Sequence, residues 1–188
     1  MFKIAVLVSG NGSNLEALID ACKNDVIKGS IDIVISNNPN AFGIERAKKY
    51  SIKCKIIDNK RFQTREEFDQ AIVEELNNCD PDLIVLAGFM RILTPVMIHA
   101  FKNKIINIHP SLLPKYPGLD THKSVIENQD SSHGVTIHFV NEVLDGGKII
   151  AQGEISVYSS DTLESLKTRI HAIEPVSYTH LTLPTSPK

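Results

Sequence analysis

The feature that most constrains the fold is a repeated alternation of short apolar runs with amphipathic stretches. Residues 4–8, 31–35, 53–57, 82–87 and 104–108 read as strands. Between them, residues 14–23, 41–50, 64–77 and 95–101 read as helices. The first helix places Leu15, Ala17, Leu18, Ala21 and Cys22 on one side. The run Leu83-Ile84-Val85-Leu86 contains no polar position, as expected for a strand buried on both faces of a parallel sheet. Thr64 is a candidate N-cap, with Glu67 at capping-box spacing. This strand–helix alternation predicts an α/β doubly wound sheet with right-handed crossovers. After residue 120 the rhythm changes. Thr121–Glu127 reads as a helix, and strands over 135–140 and 148–155 then follow each other with only the 141–147 loop between them. Strands so joined are expected to be antiparallel, giving a mostly parallel sheet with an antiparallel edge. A helix over 161–174, with Asp161 as candidate N-cap, closes the pattern. One domain is expected over 1–174, with no repeat and no linker.

The chain of 188 residues is long enough for one substantial domain. Its net charge of -2 gives no basic surface for nucleic acid. No apolar run approaches the roughly 20 residues that a membrane helix needs. The first apolar run is too short and too abruptly ended for a signal peptide. Cys22, Cys54 and Cys79 are widely spaced and form no Cys-x-x-Cys pair, so reduced thiols and a cytoplasmic location are expected, with no metal site. The last fourteen residues, 175–188, are rich in Thr, Ser and Pro and have no period. They read as a disordered or non-native tail. Residues 176–185 look like a translated sequencing adapter, and Pro175 is expected to end the helix.

Three segments carry chemistry. Ser9-Gly10-Asn11-Gly12-Ser13-Asn14 lies between the first strand and the first helix. Its glycines allow close backbone approach, and a helix N-terminus favours an anion. Leu15 stands where a dinucleotide fingerprint needs a third glycine, and no P-loop lysine follows. A single phosphate monoester fits better, against the alternative of a tight structural turn. Gly88-Phe89-Met90-Arg91-Ile92-Leu93 follows the most apolar strand and could wall a slot for a flat heterocycle, although Phe89 and Leu93 could equally be packing.

The third segment is Asn107-Ile108-His109-Pro110-Ser111-Leu112-Leu113-Pro114. On a strand, period-2 geometry puts Asn107 and His109 on one face. Asp145-Gly146-Gly147 is a strong turn signal, and its carboxylate is a candidate partner for His109. Amide, imidazole and carboxylate together suit acyl transfer to an amine. Of the seven histidines, His99, His122, His133 and His180 read as surface or satisfied core residues, and His138 as core or as support for the site.

Together these motifs resemble the phosphoribosylglycinamide formyltransferases, the folate-dependent transformylases of purine synthesis, from residue 2 to about 174. The resemblance rests on Ser9–Leu15, Ala87–Leu93, Asn107–Gly118 and Leu144–Gly147. It implies a Rossmann-like formyltransferase fold. Gly12, Ser13 and Asn14 would hold the substrate phosphate. Arg65, Met90, Arg91, Ile92, Leu93 and Asn107 would contact folate, with Asn141, Glu142, Val143, Leu144 and Asp145 bordering the pterin. His171, Ala172, Ile173 and Glu174 would meet the glycinamide substrate, and Asn107, His109 and Asp145 would carry the chemistry. The implied co-substrate is 10-formyltetrahydrofolate, the acceptor is glycinamide ribonucleotide, and the state is monomer or homodimer. The chain departs from the family at Pro175, which implies C-terminal truncation and a frayed end at Glu174. Two alternatives remain open: hydrolysis of formyl-folate at the same residues, and non-catalytic binding of a nucleotide monophosphate.

Overall fold

The computed structural model describes residues 1–177, with side chains through Glu174. Seven strands form one sheet, β1 (Lys3–Val8), β2 (Ser30–Ser36), β3 (Lys53–Ile56), β4 (Leu83–Leu86), β5 (Ile105–His109), β6 (Ser132–Phe139) and β7 (Ile149–Ser156). Their spatial order is β3-β2-β1-β4-β5-β6-β7. The first five pair in parallel, whereas β5–β6 and β6–β7 pair antiparallel. The strand order reverses between β1 and β4. In an open α/β sheet that switch point opens a crevice at the carboxyl ends of the strands. The loops after β1, β4 and β5 all emerge there.

Six helices cover the sheet: α1 (Ser13–Lys23), α2 (Phe42–Lys49), α3 (Arg65–Asn77), α4 (Pro95–Ala100), α5 (Thr121–Glu127) and α6 (Leu163–Ser177). Alternation along β1 divides the core in two. Ile4, Val6 and Val8 pack with Leu15 and Leu18 of α1, Ile44 and Ala47 of α2, and Ile170 of α6. Ala5 and Leu7 face the other way, toward Phe68, Ile72 and Leu76 of α3 and Met97 and Ile98 of α4. Both faces of the central strands are therefore dry, which is why their sequence carries no polar position.

The expected elements are all present, with boundary differences that have physical causes. Thr64 caps α3 as read, its side chain accepting from Glu67 N while the Glu67 side chain accepts from Thr64 N. Thr162, not Asp161, caps α6: Thr162 Oγ1 accepts from Ser165 N at 3.1 Å. Asp161 instead accepts from Tyr158 N and from Arg169, pinning the approach to the helix. The helix α6 runs to Ser177 and does not stop before Pro175. A proline within a helix lacks one backbone bond and crowds the carbonyl four residues back, a cost that weakens a helix without forbidding it. β6 starts three residues earlier than the apolar pattern suggests. Gly134 lets it, because a Cβ there would lie 2.0 Å from the Gly153 carbonyl oxygen of β7. The tail reading over 178–188 lies outside the described residues.

Beside β6 sits a pair of histidines. His133 is 1% exposed, and its Nε2 lies 2.8 Å from His122 Nδ1 on α5. Burial, then the charges of His171, Lys167 and His109, push His122 down to about 4. Burial and the charge of His122 likewise push His133 down to about 4. In the unfolded chain each would titrate near 6.5. The unfolded state therefore binds more protons between those values, and stability falls as pH drops through that window. The urea midpoint is expected to fall between pH 7 and pH 5, and His133→Gln to flatten that slope. An unchanged slope in the variant would show that this pair does not titrate on unfolding.

Candidate active site

The register of β5 against β6 assembles the centre. Asn107 pairs across from His138, and His109 from Thr136, so all four side chains share one face. His109 is 4% exposed. Its Nε2 lies 2.8 Å from the Tyr116 carbonyl oxygen and its Nδ1 lies 3.4 Å from Asp145 Oδ2. Both ring nitrogens thus face groups that only accept, an arrangement that a doubly protonated ring satisfies. The carboxylate predicted for His109 is therefore in place.

Asp145 sits on the turn that closes β6 onto β7, at φ 50. Asn141 Oδ1 accepts from Val143 N at 3.0 Å, and Gly146 N donates to the Val143 carbonyl at 3.0 Å. These bonds shape the 141–147 loop and turn the carboxylate inward. Asp145 Oδ2 accepts from Gly118 N at 2.8 Å, and Oδ1 lies 3.5 Å from His138 Nε2. Burial works against the charge of Asp145. The His138 contact, the Gly118 amide and the neighbouring imidazoles outweigh it and hold the carboxyl below its usual range.

Tyr116, Gly118 and Thr136 are not among the residues that the sequence assigns to the site, and His138, open between core and support, stands in the supporting place. His138 Nδ1 donates to the Phe139 carbonyl at 2.9 Å, and its Nε2 lies 3.5 Å from Asp145 Oδ1 and 3.4 Å from Asn107 Nδ2. His138 thus stands between the amide and the carboxylate on the shared face. Thr136, fully buried, donates to the Ser111 carbonyl and accepts from Leu113 N, fastening the 110–118 loop to β6. Gln152 of β7 reinforces this with bonds to Thr136 Oγ1 and the Leu113 carbonyl. An Asn-x-His pattern was the readable signal; a second histidine one strand away carried none.

The loop after β1 lies at the switch point. Gly12 is the N-cap of α1 at φ 77, and a Cβ on it would stand 2.5 Å from Gly43 Cα. Gly43 N donates to the Gly10 carbonyl at 3.0 Å. Arg46 donates to the Asn11 carbonyl and side chain and pairs with Glu16. Gly12 is thus required by packing as well as by any ligand. Ser13 is exposed, whereas Asn14 is 6% exposed. Asn14 Nδ2 donates to Glu174 Oε2 at 2.9 Å, and its buried Oδ1 has no protein partner. The expected fraying at Glu174 is therefore overturned: the residue is half-buried on α6 and bonded to the loop. In the same turn, His171 and Ala172 are exposed and Ile173 packs toward the core.

The segment 88–93 borders the other side of the centre. Met90 and Ile92 are exposed apolar residues at 80% and 58%, Arg91 is half-buried, and Leu93 is in the core. Val143 and Leu144 of the 141–147 loop are likewise exposed. Glu142 of that loop reaches His99 of α4 at 2.5 Å, so wall and loop flank the same helix. Arg65 opens α3, one turn before the buried Asp69. Ser9 joins the two halves, its Oγ donating to Asn37 Oδ1 at 2.6 Å and accepting from Met90 N at 2.8 Å.

This geometry agrees with what the chain is similar to. The family model described as Formyl transferase matches residues 2–182. The chain belongs to the formyl transferase family. Among its relatives, the phosphoribosylglycinamide formyltransferase of Escherichia coli (strain K12) is 46% identical over 177 residues, which is 92% of this chain and 84% of that protein. The enzyme of the same name from Haemophilus influenzae is 48% identical over 169 residues, covering 90% and 80%. The crystal structure of glycinamide ribonucleotide transformylase 1 from Symbiobacterium toebii superposes with a TM-score of 0.92 at 41% identity, covering 95% of this chain and 84% of that one. No helix among the described residues is long and apolar enough to cross a membrane, and no group of three or more His, Cys, Asp or Glu among them could hold a metal ion.

Gly12→Ala is expected to destabilise this family member by more than about 1 kcal/mol, because both the positive φ and the Gly43 backbone oppose a side chain. Urea unfolding measures this, and an unchanged midpoint would remove the packing role.

Proposed function

We propose that this chain transfers the formyl group of 10-formyltetrahydrofolate to the primary amine of N1-(5-phospho-D-ribosyl)glycinamide in purine synthesis. The observation that carries the reading is the convergence of Asn107, His109 and Asp145 at the switch point, with His109 Nδ1 3.4 Å from Asp145. They lie between a loop suited to a phosphate monoester and an apolar wall suited to a flat ring. Gly12, Ser13 and Asn14 then hold the phosphate, with Glu174 beside the glycinamide. Arg65, Met90, Arg91, Ile92, Leu93 and the 141–145 loop receive the folate.

The nucleophile comes with the substrate, so no covalent enzyme intermediate is needed. The neutral amine attacks the formyl carbon, and the carbonyl oxygen becomes an oxyanion. Asn107 donates an amide N–H to that oxygen. Tyr116 anchors the His109 ring through Nε2, and the Nδ1 side, shared with Asp145 at 3.4 Å, is the side that exchanges a proton with the substrate. From there the imidazolium stabilises the oxyanion and supplies a proton to N10 as the C–N10 bond breaks. The attacking amine loses a proton in exchange, through water held by Asp145, so the protonation of the enzyme is restored.

Incubation with 10-formyltetrahydrofolate, with and without the ribonucleotide, tests the reading. Transfer requires both substrates; product from the folate alone would indicate a hydrolase, and no turnover a binder. Asn107→Ala is expected to lower kcat by about 10²–10³ with folding unchanged, the effect of losing one oxyanion donor. His109→Ala should be lower still, and near-normal turnover in either variant would overturn the mechanism. Ser13→Ala, at an exposed position, should raise KM for the ribonucleotide and leave that of the folate; equal changes in both would argue against the phosphate loop.

A further inference from the structure

The wall 88–93 belongs to no helix or strand, yet its position sets one side of the site. Side chains hold it at two points. Upstream, Met90 N donates to Ser9 Oγ. Downstream, Thr94 N donates to Asp69 Oδ2 at 2.6 Å. Asp69 and Thr94 are each 1% exposed, and Asp69 Oδ1 is buried with no hydrogen-bond partner among the described residues. A carboxylate with one free oxygen in a dry interface is costly, and each such group needs a physical reason.

Packing does not supply that reason. The helices α3 and α4 already meet through Phe68, Ile72, Met97 and Ile98, all in one apolar cluster. We propose that Asp69 is a positioning residue for the folate side of the reaction: its carboxylate holds the Thr94 amide and so fixes the end of the wall that carries Met90, Arg91 and Ile92. The inference rests on the proposed folate role of that wall. Burial pushes the Asp69 carboxyl up, opposed by the Thr94 amide, by the Thr94 hydroxyl and by the charge of Arg65 one turn earlier. Asp69 therefore also links the wall to the first turn of α3, where Arg65 stands. The operative group is the oxygen that accepts from Thr94 N, so an amide oxygen at the same place serves equally.

The test is steady-state kinetics on the purified full chain, varying 10-formyltetrahydrofolate and the ribonucleotide separately. In Asp69→Ala, KM for the folate should rise about tenfold or more, the loss expected for a hydrogen bond to a charged group. The ribonucleotide KM and kcat should stay near wild type. Asp69→Asn should restore the folate KM. Asp69→Ser keeps a polar side chain but falls short of Thr94 N, and it carries the same expectation as the alanine variant if that one does not fold. Equal increases in both KM values, unchanged folate KM, or failure of Asn to rescue would each overturn the proposal. Ile92→Ser is the companion measurement. If it leaves the folate KM unchanged, the wall reading itself is wrong; if it raises that KM and Asp69→Ser does not, only the role of Asp69 fails.

Discussion

The antiparallel pairing of β5 with β6 is the constraint on which the rest of the site depends. In that register Asn107 faces His138 and His109 faces Thr136. A slip of β6 by one residue would send His138 and Thr136 to the opposite face, into the apolar layer occupied by Ile106 and Ile108, and away from Asn107 and His109. The register also sets where β6 ends, and therefore where the 141–147 turn delivers Asp145. Five groups from two strands and a turn thus meet because one ladder is in one alignment. The polar bonds then hold what the ladder has placed. Thr136 and Gln152 clamp the 110–118 loop, whose Tyr116 carbonyl and Gly118 amide bind His109 and Asp145 in turn.

The parallel half of the sheet has a different task. Its central strands, β1 and β4, are buried on both faces, so they offer chemistry only at their carboxyl ends. Their order brings the loops after β1 and β4 to the same crevice, and Ser9 ties those loops together. The glycine-rich loop answers to packing: Gly12 stands against the Gly43 backbone, where a Cβ does not fit.

Much of this could be read from the chain itself. Buried strands have an unmistakable composition, and period-2 geometry was enough to put Asn107 and His109 on one face. The Asp-Gly turn marked Asp145, although its contact with His109 spans a loop and needed the fold. What stayed hidden is of three kinds. His138 looks like any strand histidine, because its role comes from the residue opposite and not from its neighbours in sequence. The Tyr116 carbonyl and Gly118 amide are backbone groups, which carry no residue identity. Asp161 against Thr162 shows the third kind: two good capping residues in succession, decided by which of them bonds Ser165 N.

The bond between Asn14 and Glu174 joins positions 160 residues apart. During synthesis the loop after β1 emerges first, and β1 waits for its sheet neighbours β2 and β4 in any case. The Asn14 side of the centre waits far longer, since its carboxylate partner arrives on α6. A ribosome-bound chain that has made Asn107, His109 and Asp145 thus holds these three groups before Asn14 has its partner. The order of translation separates the closing of one half of the centre from the closing of the other.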